Sequence, residues 1–181
     1  MADNYAMRLD CGRCVLRPWA PGDVPSLARH ADNCEIWRNL RDSFPHPYAL
    51  ADAQQWISFA QQQSPRTSFA VEVGGEAVGG VGLCLKSDIE RLSAEMGYWL
   101  GEAVWGKGIA TAAVRALSTY GFEELGLTRI FAVPLISGTA SMRVLEKAGY
   151  VREGVLRRSA IKEGIVVDRV LYALTDMDVS P

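Results

Sequence analysis

Hydrophobic and polar positions alternate with a period of two in several stretches of the chain, which predicts β-strands. Residues 93–100 show this most clearly, because the alternation places Glu95 and Trp99 on one face of a strand and Tyr98 on the other. Gly74-Gly75 separates two such stretches and predicts a hairpin turn. The predicted strands cover residues 15–18, 68–73, 77–83, 93–100, 129–133, 150–156 and 166–173.

Apolar positions recur every three or four residues elsewhere, which predicts amphipathic helices. Gly106-Lys107-Gly108 opens one of these helices, and Gly149 follows the last one, at a position where glycine commonly ends helices. The predicted helices cover residues 24–31, 35–40, 52–62 with Trp56, Phe59 and Ala60 on one side, 109 to about 126, and 139–148. A meander of three strands followed by alternating strands and helices predicts a mixed α/β sheet with helices on both faces.

The composition is that of a folded protein with a core, since 49% of the 181 residues are hydrophobic and 22% are charged. The length predicts one domain over residues 1–181. A net charge of −2 argues against direct nucleic-acid binding. No apolar run has the length of a membrane span and no secretory signal is visible, so we expect a cytoplasmic protein without a membrane partner.

Cys11-Gly12-Arg13-Cys14 has the spacing of a metal or redox motif. A zinc site needs two further ligands, and a redox pair normally opens a helix after a strand. This pair instead precedes the first predicted strand. We therefore expect ordinary reduced thiols and no metal, with redox or metal chemistry as the alternative.

Residues 100–111 lead from a strand through glycines to a helix N-terminus, where N–H groups and the helix dipole favour an anion. A P-loop would require Ser or Thr where Gly108 stands, and a dinucleotide site would require an acidic residue after the next strand. Coenzyme A needs N–H donors for its pyrophosphate but no metal. It remains a candidate ligand, as does a tight glycine turn that binds nothing.

Three blocks in this order resemble the GNAT acetyltransferases, and within them the branch of the RimJ and RimL ribosomal-protein alanine N-acetyltransferases. The blocks are residues 95–100, 105–111 and 140–150, and residues 16–19 are similar to the opening of that branch. The resemblance implies a single acetyltransferase domain with a mixed, mostly antiparallel sheet of six to seven strands. This sheet would be splayed at the fourth and fifth strands, where acetyl-CoA enters.

The resemblance also implies the residues that contact the cosubstrate, acetyl-CoA, and no metal. Gly138 departs from the branch, which usually has Asn there, and Leu145 replaces the general-acid tyrosine of many GNAT enzymes. The cofactor-binding residues are expected to be Trp99, Leu100, Trp105, Gly106, Lys107, Gly108, Ile109, Ala110, Thr111 and Gly138.

Acyl transfer from a thioester to an amine requires a proton acceptor, a polarised carbonyl and a stabilised thiolate. Glu95 lies where the sheet would open and is the candidate base, directly or through water; a structural pair with Arg91 is the alternative. Ser141 is the candidate partner of the thiolate in this branch, unless its hydroxyl bonds its own helix. Strand N–H groups near Leu100 are candidates to bind the thioester carbonyl.

Residues 37–42 and 44–48 resemble the loop that lines the acceptor side. The expected substrate-binding residues are Trp37, Arg38, Asn39, Phe44, His46 and Tyr48. We predict an acetyl-CoA-dependent N-acetyltransferase with direct transfer in a ternary complex, because the three blocks contain no cysteine for an acyl-enzyme. The acceptor expected first is the N-terminal α-amine of a protein, and a small amine, an amino acid or an antibiotic is the alternative acceptor. A non-catalytic module that binds acyl-CoA is the alternative function. A homodimer also remains open.

Overall fold

Within residues 7–178, which a computed structural model describes, eight strands form one sheet with helices on both faces. The strands are β1 (Leu9–Asp10), β2 (Val15–Arg17), β3 (Ser68–Val73), β4 (Glu76–Leu85), β5 (Ser93–Leu100), β6 (Arg129–Ala132), β7 (Val151–Lys162) and β8 (Ile165–Thr175). The helices are α1 (Val24–Ala31), α2 (Cys34–Trp37), α3 (Leu50–Gln62), α4 (Ile109–Glu123) and α5 (Thr139–Ala148). Short 3-10 turns cover Pro21–Asp23, Asp88–Glu90, Glu102–Val104 and Asp176–Asp178.

The strand order is β1-β2-β3-β4-β5-β6-β8-β7, and each neighbouring pair is antiparallel except β5 and β6. The parallel pair is short, because it joins only Ser93, Ala94 and Glu95 to β6. Beyond Glu95 the two strands separate. This open junction between β5 and β6 corresponds to the predicted splay between strands 93–100 and 129–133.

Alternation along β3 divides the core into two layers. Phe69 and Val71 pack toward α4 and α5, where Leu117 and Leu145 are completely buried. Ala70 points to the other face, where a second cluster contains residues of α1 and α3. The sheet is therefore covered on both faces, as the sequence predicts, and β5 lies near its middle.

The sheet has eight strands, one more than the upper predicted number. The additional strand, β1, pairs Leu9 with Leu16 and Asp10 with Val15, and two residues are too few to show an alternating pattern. Cys11–Cys14 forms the turn of this hairpin, with the Cys11 N–H donating to the Cys14 carbonyl at 2.9 Å. The last two strands are longer than predicted and form a hairpin in which β8 pairs with β6 and β7 is the edge strand of the sheet.

Helix α3 buries a different stripe from the one its large side chains suggest. Ala53, Ile57 and Ala60 face the core, whereas Trp56 and Phe59 contact each other on the exposed side. The predicted helix at 35–40 is shorter and ends at Trp37. Among the helices of residues 7–178, none combines the length and apolar character that crossing a bilayer requires.

The opening of the chain is fixed to the sheet by Arg17. Its guanidinium donates to both Asp23 oxygens, at 2.7 and 2.8 Å, and to Glu72 on β3. Glu72 also accepts from Arg8 at 2.7 Å. Because Arg17, Asp23 and Glu72 have side chains at most 15% exposed, this network is largely shielded from solvent.

Candidate active site

The turn before α4 contains two glycines in the left-handed region. Gly106 and Gly108 both have φ of +74°, which glycine adopts without strain, and Gly108 is the N-cap of α4. Within residues 7–178, no carbonyl accepts a hydrogen bond from the backbone N–H groups of residues 106–110. Such free donors are expected at the start of a helix, and with the helix dipole they form an anion site.

A cavity of about 880 Å³ lies beside this turn, within the range of ligand pockets. The cations that line it are Arg13, Lys107, Arg115 and Lys147. In the described part of the chain none of them pairs with a carboxylate. Arg13 donates to the Lys107 carbonyl at 3.3 Å, and Lys107 donates to the Ala103 carbonyl at 2.9 Å. Uncompensated positive charge beside free N–H donors fits a ligand with several phosphates, such as coenzyme A.

Four of the predicted cofactor residues line this cavity, namely Gly106, Lys107, Gly108 and Thr111. The side chain of Ile109 instead lies in the core, where it is 4% exposed, and Ala110 packs against the same core. For Ile109 and Ala110, only the backbone N–H groups are therefore placed to bind an anion.

The open side of β5 presents backbone groups toward the junction. The Gly101 N–H donates to the Val78 carbonyl of β4 at 2.8 Å. Since successive residues of a strand point their N–H groups to opposite sides, those of Leu100 and Tyr98 face away from β4, beyond the last pair with β6. Trp105 donates its indole N–H to the Leu100 carbonyl at 2.7 Å and so fastens the glycine turn to the end of β5.

Two further residues of the cofactor prediction lie elsewhere. Trp99 pairs with Gly80 of β4, and its side chain lies on the α1–α3 face, where Phe44 meets its ring edge-on at 5.7 Å. Gly138 is the N-cap of α5, and a Cβ added there would lie 3.4 Å from Asn39 Oδ1. Contacts of Trp99 and Gly138 with the cosubstrate stay predictions.

Glu95 lies at the last paired residue of the junction, with a side chain 14% exposed. Its Oε1 accepts from Arg41 Nη2 at 2.5 Å, and its Oε2 lies 3.4 Å from Lys86 Nζ. The hydrogen bond to Glu95 raises the pKa of Arg41 above its usual range. The alternative of a pair with Arg91 is wrong, because Arg91 donates to the Asp88 carbonyl. Glu95 also lines a second pocket, of about 220 Å³.

Ser141 lies on the opposite face of the sheet from Glu95, in the first turn of α5. Its hydroxyl is 2.8 Å from the hydroxyl of Tyr98, which also donates to the Ser141 carbonyl at 3.0 Å. Burial raises the pKa of Tyr98 to about 12. Leu145, one turn later, is completely buried in the core. A hydroxyl pair from β5 and α5 therefore stands where the sequence analysis expected a single serine.

Residues 37–48, here called the acceptor loop, present aromatic and charged side chains. Trp37 stacks with His46 at 5.7 Å between ring centroids, and Lys162 Nζ lies 3.9 Å above the Trp37 ring. Lys162 is also 2.7 Å from Asp42. His46 Nδ1 lies 3.5 Å from Asp32. The terminal hairpin thus contacts the loop that the sequence analysis assigned to the acceptor.

The other predicted acceptor residues differ in accessibility. Phe44 packs on Tyr48 at 4.9 Å, and Tyr48 is buried, which raises its pKa to about 12. Arg38 is exposed and pairs with Glu35 at 2.7 Å and with Glu163 at 3.7 Å. Tyr48 therefore supports the loop from below, while Arg38 lies at its surface.

The cysteine pair is a pair of free thiols in the turn between β1 and β2. A hydrogen bond between them lowers the pKa of Cys11, and the same bond, with burial, raises the pKa of Cys14. Across residues 7–178 there is no cluster of three or more His, Cys, Asp or Glu side chains able to hold a metal ion.

The sequence analysis missed three cations that line the second pocket, and Lys86, which contacts Glu95. Arg41 lies within the segment assigned to the acceptor, and Lys86 lies on the loop opposite Ser93. Lys162 and Arg169 come from the terminal hairpin. Because the register between β7 and β8 is irregular, alternation along these strands does not predict to which face Lys162 and Arg169 point.

Comparison with known proteins assigns this architecture. Residues 13–151 match the model of the acetyltransferase (GNAT) domain. The chain belongs to the GNAT acetyltransferase family. This confirms the predicted family, the mixed α/β fold class and the predicted class of enzyme, an N-acetyltransferase with acetyl-CoA as cosubstrate.

Three GNAT proteins illustrate the likeness. The chain is 37% identical over 165 residues to the uncharacterized N-acetyltransferase p20 of Bacillus licheniformis, covering 90% of this chain and 92% of that protein. It is 38% identical over 140 residues to the putative ribosomal N-acetyltransferase YdaF of Bacillus subtilis, covering 66% and 76%. The structure of Mycobacterium smegmatis RimJ in complex with CoA-disulfide superposes with a TM-score of 0.80 at 27% identity, covering 96% and 87%.

Proposed function

We propose that this GNAT enzyme transfers the acetyl group of acetyl-CoA to the α-amine at the N-terminus of a protein or peptide, by direct transfer in a ternary complex. The names of two relatives support the acceptor class, since YdaF is a putative ribosomal N-acetyltransferase and RimJ gives its name to the branch that the sequence resembles. The observation that carries the proposal is the position of Glu95. Its carboxylate lines a pocket at the edge of the open junction, on the same face as the acceptor loop.

The cosubstrate side of the site is formed by the glycine turn and the open edge of β5. The free N–H groups of residues 106–110 and the cations Arg13, Lys107, Arg115 and Lys147 would hold the phosphates. The N–H groups of Tyr98 and Leu100 would bind carbonyl oxygens that lie along the junction. Acetyl-CoA supplies an acetyl group activated as a thioester.

Glu95 acts on the acceptor. An amine is nucleophilic only after its ammonium form has lost a proton, and the Glu95 carboxylate accepts that proton directly or through water. Arg41, which now bonds Glu95, has a side chain 69% exposed and can be displaced by the incoming ammonium group. Lys86 Nζ, 3.4 Å from Glu95 Oε2, balances part of the charge of Glu95.

Ser141 and Tyr98 act on the leaving group. When the amine nitrogen bonds to the acetyl carbon, the carbon–sulfur bond breaks and the electron pair remains on sulfur as a thiolate. The Ser141 hydroxyl can rotate to donate a hydrogen bond to that sulfur, while Tyr98, 2.8 Å away, holds the serine in position. The two hydroxyls and Glu95 lie on opposite faces of the sheet, so proton acceptor and donor flank the junction.

The test combines an acceptor panel with a charge-removing substitution. Peptides with a free N-terminus should be acetylated, and the same peptides with a blocked N-terminus should not. Glu95→Gln should lower kcat by about 10²–10⁴ at neutral pH, because glutamine cannot accept the proton. The deficit should shrink as pH rises toward the pKa of the amine, since solvent then supplies the neutral amine.

Glu90→Gln is the matched control, because Glu90 is exposed in the turn before β5 and lies outside the pocket. It should keep the activity of the unsubstituted enzyme. Full kcat in Glu95→Gln at neutral pH would assign the proton to another group. Acetylation of polyamines or lysine side chains, without any acetylation of N-terminal amines, would contradict the acceptor class.

A further inference from the structure

Arg169 on β8 lines the same 220 Å³ pocket as Glu95 and is half-buried. Its backbone bridges to Leu135 after β6, so the side chain starts from the wall of the open junction. Its Nε donates to Ser159 Oγ at 3.1 Å, which fixes the plane of the guanidinium. The terminal nitrogens of this guanidinium make no ion pair with any carboxylate of residues 7–178.

A β-bulge in β7 places the serine hydroxyl that holds the Arg169 side chain. The register against β8 shifts between Leu156 and Ala160, and Arg158 within the shift has φ of +51°. This bulge lets Ser159 turn its hydroxyl, which donates to the Leu156 carbonyl at 2.7 Å and accepts from Arg169. Bulges of this kind commonly redirect a side chain near an active site.

Nearby acidic groups leave Arg169 uncompensated. Glu95 is paired with Arg41 and Lys86, and Asp42 is paired with Lys162. Asp168 is the residue before Arg169 on the strand and therefore points to the other face, where it accepts from the Arg158 N–H at 2.7 Å. A half-buried guanidinium without a counter-ion is costly unless a ligand supplies one, and its planar fork suits a carboxylate.

We propose that Arg169 binds a carboxylate of the acceptor, so that the preferred substrate carries an acidic group a few bonds from the amine that is acetylated. In a peptide this is an Asp or Glu side chain at the second position. Arg169 fixes that carboxylate, and Glu95, in the same pocket, receives the proton of the amine. The inference rests on the proposed function and adds a chemical class of acceptor to it.

The experiment compares acceptors that differ only in the carboxylate. The peptides are Ser-Asp-Gly-Gly-amide and Ser-Asn-Gly-Gly-amide, and the free amino acid serine with serinamide tests the other source of a nearby carboxylate. We expect kcat/KM to be at least tenfold higher for the Asp peptide than for the Asn peptide, mainly through KM. A preference found for serine over serinamide, with equal rates for the two peptides, would overturn the peptide assignment.

Arg169→Gln should remove the preference, so that the ratio of kcat/KM for the Asp peptide to kcat/KM for the Asn peptide falls to about one. Arg169→Lys should restore part of the preference, since lysine keeps the charge but loses the fork. Arg157→Gln is the matched control, because Arg157 is exposed on the same strand as the bulge and lies outside the pocket. It should keep the full preference, which separates recognition from a general effect of surface charge.

The outcomes separate the two proposals. Equal kcat/KM for the two peptides, together with equal kcat/KM for serine and serinamide, overturns the role of Arg169 and leaves the N-terminal acceptor in place. An Asp preference that survives in a folded Arg169→Gln variant also overturns it. Failure to acetylate any peptide amine, with acetylation of other amines, overturns the proposed function and this inference together.

Discussion

At the scale of single residues, Tyr98 holds Ser141 in position through contacts with its hydroxyl and its carbonyl. The Tyr98 phenol stays protonated in any ordinary assay, because burial raises its pKa to about 12. Its single O–H therefore always has a proton to donate, to the Ser141 carbonyl at 3.0 Å or to Ser141 Oγ at 2.8 Å. Tyr98→Phe should lower kcat by about tenfold, the loss of roughly one hydrogen bond to a charged transition state, with unchanged affinity for coenzyme A.

Tyr150→Phe is the control for that prediction. Tyr150 also bonds a serine hydroxyl, that of Ser118 at 2.8 Å, and both groups are buried in the core with no hydrogen bond to Ser141. Its substitution should lower the free energy of unfolding by about 1 kcal/mol and leave kcat unchanged. Equal kinetic effects of Tyr98→Phe and Tyr150→Phe would show that the Tyr98 hydroxyl only supports the fold. Turnover and urea denaturation measure the two effects.

The limit of sequence reasoning is visible at individual side chains. The period of β5 correctly separates Glu95 from Tyr98, because alternation depends only on the strand itself. The partners of Glu95 could not be predicted, since Arg41 is 54 residues distant in the chain. The burial of Tyr48 was missed for the same reason, because the packing of Phe44 against it depends on the tertiary course of the loop.

At the scale of elements, the role of the glycine turn before α4 can be tested by adding a single methyl group to its backbone. A Cβ at Gly108 would lie 3.5 Å from Arg13 Nε, in the basic cavity. Gly108→Ala should therefore lower the affinity for coenzyme A at least tenfold, about 1.4 kcal/mol, as measured by isothermal titration calorimetry. Unchanged affinity would mean that the phosphates bind away from this turn.

Gly126 provides the matched substitution, with φ of +63° and open space around its Cβ position, after the end of α4. Alanine in the left-handed region costs about 1–2 kcal/mol at either glycine. Gly108→Ala and Gly126→Ala should thus lose similar amounts of stability. Only Gly108→Ala should lose affinity for coenzyme A, which separates backbone strain from ligand contact.

The network between β2, β3 and the start of α1 predicts a pH dependence of stability. Hydrogen bonds from Arg17 and then Arg8 lower the pKa of Glu72 below its usual value near 4.5. A lowered pKa in the folded state stabilises the fold above the usual value, and this contribution is lost as pH falls through the lowered pKa. Glu72→Gln should lower the free energy of unfolding by about 1–3 kcal/mol at pH 7.

The difference between Glu72→Gln and the unsubstituted protein should shrink below about pH 4, because the carboxyl then becomes neutral in both states. Urea denaturation at several pH values measures it. A difference that is constant from pH 7 to pH 3 would mean that the ion pairs with Arg17 and Arg8 contribute nothing. Arg17 keeps Asp23 as a partner in the variant, so folding itself should persist.

The strands and helices were more predictable from the sequence than the partners of individual side chains. Strand β1 and the apolar side of α3 are exceptions, each with a physical cause. Strands β3 to β6 and helices α4 and α5 have strong periods and clear glycine or proline ends, and they lie within a few residues of their predicted bounds. Strand β1 is too short to have a period. The predicted apolar side of α3 failed because Trp56 and Phe59 pack on each other in the exposed layer, and not on the sheet.

At the scale of the whole molecule, the cosubstrate should behave as a stabilising ligand of the folded state. Coenzyme A at about 100 times its dissociation constant adds roughly 2.7 kcal/mol. For a chain of this length that corresponds to an increase in Tm of about 5–10 °C. ATP with magnesium should give a smaller shift, because Gly108 stands where a nucleotide loop needs a hydroxyl for the metal. A larger shift with ATP and magnesium would contradict the assignment of the glycine turn.

The eight-stranded sheet is weakly connected at the open junction between β5 and β6. Strands β1 to β5 form one part of the sheet and β6 to β8 the other, and only three residue pairs join the two parts. We therefore expect the sheet to bend mainly at this junction, where few inter-strand hydrogen bonds must be strained. A ligand bound at the junction would contact both parts of the sheet and stiffen it, and its release would require bending there. We therefore expect substitutions that pack along this junction, without touching the reacting atoms, to change the rate of product release.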